Sequence, residues 1–342
     1  MKKEQKNIEN PDKNKSKKKK IKLIILFSCL GLFLITLLVY YFGASYPQFD
    51  KMATKEFEIP GLDSSFVPQG LEYDNVNDKF VVCGYMSNGS PSRIYIVDAK
   101  TGKTEKYVTL ITPAEDDAKD YKGHAGGIAL SYPFAYLSGD GVLYRFIYDT
   151  ILYSKNGDKI PLIDSYITGN GADYVDIIDG NLVVGEFYRK KSNPTKESHK
   201  LTLNGQTHRA LSFVYKIDQD KNAGIDPQML YAISTPDQVQ GMCLNKEGNL
   251  VLSTSFGLPN STLYVYKNIT ENPTTQVEID NKKITVYFLS KQNLIKTYTE
   301  IPCMSEEMIL VNDKIYLLFE SKCRKYKFFT RTRINNVYSL AI

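Results

Sequence analysis

The chain of 342 residues has no tryptophan and only three histidines. It contains no HExxH, P-loop, GxSxG or CxxC pattern, so the familiar zinc, phosphate-loop, serine-hydrolase and dithiol chemistries lack local support. A Ser-His-Asp triad would have to use His124, His199 or His208. Past the first fifty residues there is no helical apolar period of useful length, which excludes the helix-built fold classes. Long apolar runs are missing too, with one exception near the N-terminus.

That exception is Ile21–Phe42, where Lys22 is the one charge and Ser28, Cys29, Gly31, Thr36 and two tyrosines interrupt Ile, Leu, Phe and Val. The run is long enough to cross ~30 Å of hydrocarbon as a helix. Ten lysines and three acids fall in the first 22 residues, so although the chain is +5, the other 320 residues are −2. A near-neutral bulk gives a nucleic-acid partner no support. The lysine side is expected to stay in the cytoplasm, with the chain after it outside the cell membrane. The expected division is a basic cytoplasmic tail (1–20), a single-pass signal-anchor (21–43), a linker (44–53) and an extracytoplasmic domain (54–342), monomeric. Cleavage after Gly43-Ala-Ser45, or lipidation at Leu26-Phe-Ser-Cys29, competes with a retained anchor, but the apolar run exceeds the ~7–15-residue core of a signal peptide.

The remainder repeats itself. Phe66-Val-Pro-Gln-Gly-Leu, Gly123-His-Ala-Gly-Gly-Ile, Ala172-Asp-Tyr-Val-Asp-Ile, Gln238-Val-Gln-Gly-Met and Met304-Ser-Glu-Glu-Met each precede a polar turn and a β-rich run. With Gly70, Gly127, Asp176, Gly241 and Glu307 as equivalent positions, the intervals are 57, 49, 65 and 66 residues. Such a period, built from short strands, reads as an all-β, five-bladed β-propeller. The expected blades place Lys159–Tyr166 as the outer strand of blade two and Ile284–Leu289 as an extra strand in blade four, with six blades as the alternative. Blade five ends one strand short, and Thr54–Pro60 is expected to complete it and remove two open edges. If Asn312-Asp313 turns the last hairpin, facing residues sum to 625; Cys303 and Cys323 miss that register by one, so a disulfide between them is geometrically feasible, against two free thiols.

The spacing, the Gln-Gly or Glu-Glu openings of the inner strands and closings such as Tyr95-Ile-Val-Asp98 resemble the superfamily of exported propellers that includes gluconolactonase-like, phytase-like and calcium-dependent nucleotidase proteins. The resemblance covers nearly all of residues 54–342. It implies architecture rather than one activity, since this scaffold hosts many.

A propeller gathers its inner-strand starts at one axis. There the repeats place Gln69, His124, Asp173, Asp176, Gln238, Gln240, Glu306 and Glu307, with Asp140, Glu186 and Glu320 behind them. Oxygen-rich clusters of this kind suit Ca²⁺ before Mg²⁺, with Asp173, Asp176, Glu306 and Glu307 as ligands; the alternative is a water-filled polar channel. Two loops of opposite charge overhang the axis: Arg189–Arg209, with Arg189 and Arg209 at its ends, and Lys322–Arg333, with Arg324 and Arg331 and no acid. The leading expectation is therefore an anionic ligand or envelope component bound at the axial face through Gln69, Gln240 and these four arginines. A metal-dependent hydrolase of a phosphoester or lactone with His124 as base is the second, and a protein-interaction scaffold the third.

Overall fold

The computed structural model describes residues 11–113, 118–279 and 281–342. The first ten residues of the lysine-rich tail lie outside the described residues. The chain forms two compact units, one ending at Ser45 and one running Tyr46–Ile342. The first holds α1 (Pro11–Phe42). Within it Lys18–Tyr40 is long and apolar enough to cross a membrane, at a mean hydropathy of 2.7, as a membrane anchor or a signal sequence would be.

The second unit opens with α2 (Pro47–Met52) and β1 (Ala53–Glu58). Blade one follows as β2 (Phe66–Asp74), β3 (Lys79–Met86), β4 (Arg93–Asp98) and β5 (Thr104–Ile111), each antiparallel to the last. Its β4–β5 turn shows why the chain reverses there: the Asp98 carboxylate accepts from the Thr101 N–H at 2.9 Å, and Gly102 takes φ +67°. Blade two is β6 (Gly127–Ser131), β7 (Phe134–Gly139) and β8 (Val142–Ile147); α3 (Tyr148–Tyr153) follows, then β9 (Lys159–Pro161) and β10 (Asp164–Ile167).

The expected single strand Lys159–Tyr166 is thus two strands in two blades. β9 adds parallel to the edge of β5, with Ile160 and Leu162 buried between blades one and two, while β10 completes blade two against β8. Pro161 is tolerated because β9 is an edge strand.

Blade three has β11 (Tyr174–Ile178), β12 (Asn181–Gly185), a hairpin of β13 (Leu201–Leu203) and β14 (Gln206–His208), then β15 (Ala210–Ile217) and β16 (Ile225–Thr235). Blade four is β17 (Val239–Leu244), β18 (Leu250–Thr254), β19 (Ser261–Tyr266) and, after the hairpin β20 (Thr274–Ile279) and β21 (Lys282–Phe288), β22 (Leu294–Ile301). That hairpin does not belong to blade four. β21 pairs parallel with β16, and Ile284 and Val286 fill the core between blades two and three. The long fourth repeat therefore widens blade three instead of hiding a sixth blade.

Blade five is β23 (Ser305–Val311), β24 (Lys314–Phe319) and β25 (Asn336–Leu340), and β1 closes it, running antiparallel to β25 from Ala53↔Leu340 to Glu58↔Asn336. Apolar side chains between neighbouring blades form the core, as where Val81, Ile94 and Ile96 meet Ile128, Leu137 and Phe146. Phe57 of β1 stacks on Phe80 of blade one at 4.6 Å, and Phe80 on Tyr316 of blade five at 5.1 Å, so β1 also seals the seam. Phe57→Ala should cost about 3–5 kcal/mol. In the detergent-solubilised full chain this appears as a Tm lowered by roughly 10 °C together with faster amide exchange over 336–340. An unchanged melt would show that the ring is held shut elsewhere.

The Cys303–Cys323 bridge is not formed, and both thiols are buried and free. The 625 register holds from Val311↔Lys314 to Met308↔Leu317, then slips at Glu306–Glu307 so that Ser305 faces Phe319. Cys323 has by then curled into a turn, its N–H donating to the Glu320 carbonyl at 3.0 Å.

Candidate functional site: the axial pocket

The register slip is repeated. β2 slips between Pro68 and Gly70, β17 between Val239 and Gly241, and β23 between Ser305 and Met308. A bulge places an extra residue on one strand and re-aims its side chain. Here the extra positions are Gln69, Gln240 and the Glu306–Glu307 pair, which is how three blades direct polar side chains to the axis. Blades two to five also approach their inner strands through left-handed non-glycine residues, Ala125, Ala172, Gln238 and Met304.

The equivalent repeat positions divide the axis between large and absent side chains. A Cβ on Gly70 would stand 3.0 Å from Glu307 Oε2, one on Gly127 2.7 Å from Glu307 Oε1, and one on Gly241 2.8 Å from Glu307 Cα. Glycine in three blades thus makes the space that the Glu307 side chain fills. Its Oε2 accepts from the Leu71 N–H at 2.7 Å and the Ile128 N–H at 3.3 Å, tying blade five to blades one and two. Asp176 accepts from the Ile177 N–H, and Glu72 from the Tyr73 and Leu130 N–H groups. Burial pushes all three carboxyls up; repulsion from Glu72 adds to it at Asp176, from Asp176 and Glu72 at Glu307, and from Asp74 at Glu72, which reaches about 7. Asp176 Oδ2 and Glu307 Oε1 are buried without a hydrogen-bond partner.

Above this layer a cavity of about 200 Å³ opens at the end where the inner strands begin. Gln69, Gln240, Asp173 and Glu320, with Asn193, Ser255 and His124, supply its polar lining, and Tyr85, Phe187, Phe256 and Tyr326 its aromatic walls. Glu320 accepts from Gln69 Nε2 at 3.0 Å, and Glu306 from Gln240 Nε2 at 3.4 Å. Burial and the adjacent Glu320 raise Glu306 well above its ordinary range, so Glu306 keeps its proton and donates it to Glu320. Glu320 itself is raised by burial to about 7, with Lys325, Gln69 and Glu306 opposing the rise. Burial likewise brings Asp173 to about 7, although its Oδ2 accepts from the Phe187 N–H at 2.7 Å. The pocket is therefore lined by carboxyls that change charge near neutral pH.

His124 lines the same pocket, its ring stacked on Tyr85 at 4.9 Å and its backbone N–H donating to the Asp140 carboxylate at 3.1 Å. Loss of water around the ring lowers its pKa, which leaves a neutral imidazole at neutral pH. The other two histidines serve the fold. His199 is fully buried, with Nδ1 2.8 Å from Glu186, which also accepts from the Leu211 N–H. His208 stacks on Phe288 at 4.2 Å, and burial pushes it down to about 4.

The four arginines separate. Arg189 lies over the pocket-lining Phe256 ring at 3.7 Å. Arg209 pairs with Asp237 at 2.9 Å, Arg331 hydrogen-bonds Asn260 and lies over Tyr46, and Arg324 is exposed on its loop; none of the four lines the pocket itself, and Arg189 alone touches a ring of its wall. The cation that reaches the rim from the second loop is Lys325, whose Nζ donates to the Tyr85 hydroxyl at 2.6 Å. Asp173 lines the pocket, Glu306 stands behind Glu320, and Asp176 and Glu307 lie in the layer beneath. Among the described residues no three His, Cys, Asp or Glu side chains are gathered as a ready metal site. Sequence reasoning passed over Tyr85, Phe187, Phe256 and Glu72. Tyr85 lies at the end of one second strand, and Phe187 and Glu320 follow others, so the repeat could have flagged them.

No protein-family model and no curated sequence matches the chain. Among solved structures it is similar to the glutaminyl cyclase of Myxococcus xanthus (8% identity, TM-score 0.42, covering 78% of this chain and 91% of that one). It is also similar to the PQQ-bound aldose sugar dehydrogenase of Streptomyces coelicolor (14%, 0.41, 78% and 77%) and to the Dos1 propeller (10%, 0.36, 79% and 71%). None of these likenesses assigns an activity; what the chain's own sheets establish is a five-bladed β-propeller following one N-terminal apolar helix.

Proposed function

We propose that this is a membrane-anchored, extracytoplasmic propeller whose axial pocket binds a ligand bearing an anionic group. The observation that carries this reading is the pair of cations at the rim, Lys325 laid against Tyr85 and Arg189 against Phe256, each ring being part of the pocket wall. The anionic group sits between them, and the ligand's hydroxyls or amides reach down to Gln69, Gln240, Asp173 and Glu320, whose carboxyls can donate as well as accept near neutral pH. Titration of the solubilised full chain with sugar phosphates and a poly(glycerol phosphate) tests it. Lys325→Ala should weaken binding about tenfold and flatten its salt dependence, while Arg209→Ala, already paired with Asp237, should change little. Equal losses from both variants, or no binding to any of these anions, would remove the reading.

A second reading, a Ca²⁺-dependent hydrolase with neutral His124 as base, draws on the unpartnered Asp176 Oδ2 and Glu307 Oε1. A cation between them would supply the missing partner and draw both carboxyls back into their charged form. Asp173 and Glu306, the other expected ligands, are engaged with Phe187 and Glu320.

A further inference from the structure

The loop Lys322–Arg333 between β24 and β25 carries six cations, no acid and the adjacent pair Phe328-Phe329. Both rings are exposed, at 69% and 65%, and Lys327 Nζ lies over the Phe328 ring at 5.3 Å. The base of the loop is pinned. Cys323 and Thr330 are buried, Thr330 Oγ1 donates to the Ser321 carbonyl at 2.9 Å, and Arg333 Nε donates to the Lys327 carbonyl at 2.6 Å. The two phenylalanines are thus held outward by a braced turn. Phe256 and Leu258, both 40% exposed, follow β18 at the same end of the blades, beside the pocket. At the opposite end Val76, Ile147, Tyr153, Ile295 and Leu310 are exposed, none adjacent in sequence to another and without a cluster of cations like that of this loop.

The same loop receives the chain where it enters the propeller. The Tyr46 hydroxyl is 2.6 Å from Thr332 Oγ1, and Arg331 lies over the Tyr46 ring at 5.9 Å. Only Gly43-Ala44-Ser45 separate Tyr46 from the last residue of the apolar helix, and three residues reach about 10 Å. With a retained anchor, three residues of backbone thus join the bilayer-spanning helix to the tyrosine that this loop holds, a length that keeps the loop's aromatic rings and cations within reach of lipid headgroups.

We propose that Lys322–Arg333 docks on anionic lipid in the extracytoplasmic leaflet of the membrane that anchors the chain, with Phe328 and Phe329 entering the interface, so that the axial pocket opens toward that surface. The proposal uses the retained anchor but not the identity of the pocket's ligand. Carbonate extraction of native membranes reads the anchor separately: a chain released by carbonate would remove the tether itself.

The chain has no tryptophan, so in discs with a tryptophan-free scaffold each introduced indole reports alone. Phe328→Trp and Phe329→Trp are made in the full chain, with Tyr153→Trp as control, and each is placed in lipid nanodiscs containing either zwitterionic lipid alone or a third of phosphatidylglycerol. In the anionic discs, both loop probes should shift to shorter emission wavelength and lose at least about half their intensity to lipids brominated near the headgroup, while the control stays unchanged. Arg324→Gln with Lys327→Gln should reverse most of that quenching. Loop probes that stay unquenched, that are quenched equally in zwitterionic discs, or that match the control would overturn the proposal.

Discussion

Glu307→Ala should destabilise the propeller by about 3 kcal/mol, because it leaves the buried Leu71 and Ile128 N–H groups without an acceptor and opens space between three glycines. Glutamine at the same position should stay within about 1 kcal/mol of the parent, since its amide oxygen can take both bonds and its shape is that of the protonated acid. Denaturant melts of the solubilised chain measure both. The pair of variants also separates a structural strut from a cation ligand. If Ca²⁺ binds at the axis, it should raise the parent's Tm by mass action and lose that effect in Glu307→Gln. Equal destabilisation by alanine and glutamine would show that the carboxyl acts as a charge and not as an acceptor. No shift of the parent with Ca²⁺, Mg²⁺ or Mn²⁺ would remove the hydrolase reading.

The same residues show what a single sequence can tell. Gly70, Gly127, Asp176, Gly241 and Glu307 align at repeat intervals, and that alignment alone brought five stretches of chain to one axis. Closure by a strand ahead of blade one was legible because blade five visibly lacks an outer strand. The strands that join a neighbouring sheet were not. β9 and β21 pair parallel at blade edges, where the register depends on which side chains fill the core between two blades, and nothing local in Lys159-Ile-Pro161 or Ile284-Thr-Val286 records that. The disulfide failed for a related reason: a two-residue turn fixes register only until the first bulge, and the bulge lies at Glu306–Glu307.

At the site, charge was legible and its direction was not. Both basic loops stand out in the sequence, yet Arg189 and Lys325 reach the pocket wall while Arg209 and Arg331 turn to Asp237 and Asn260. Long cationic side chains choose among partners that only the folded loops assemble. Glu72 was passed over for the opposite reason. It stands in an ordinary alternating strand, and only the neighbouring Leu130 N–H and the Asp176 and Glu307 carboxyls make it part of an axial group.

That group predicts an unusual pH profile. Glu72, Asp173 and Glu320 are raised to about 7, and burial raises Asp176, Glu306 and Glu307 well above their ordinary range, so the folded chain holds protons that the unfolded chain has released. Stability from these groups is fully present below about pH 4.5 and is lost as pH rises through 7, at up to about 1.4 kcal/mol per pH unit for each proton involved. His124 and His208 act in the opposite sense: both are lowered, so their contribution is lost as pH falls below about 6.5. Six carboxyls against two imidazoles leave the net slope negative, and unfolding free energy should be higher at pH 5.5 than at pH 8. Surface carboxylates such as Asp98, held below its usual range by Lys79, reverse the trend only in strong acid. Denaturant melts at half-unit steps from pH 5 to 8.5 give the curve, and Glu320→Gln should flatten it by removing the proton shared with Glu306. A cation at the axis would compete with those protons, so saturating Ca²⁺ should level the profile between pH 6 and 8. A profile that rises toward pH 8 without added metal would mean that the axial carboxyls are already charged and compensated, and the proton-holding axis would have to be abandoned.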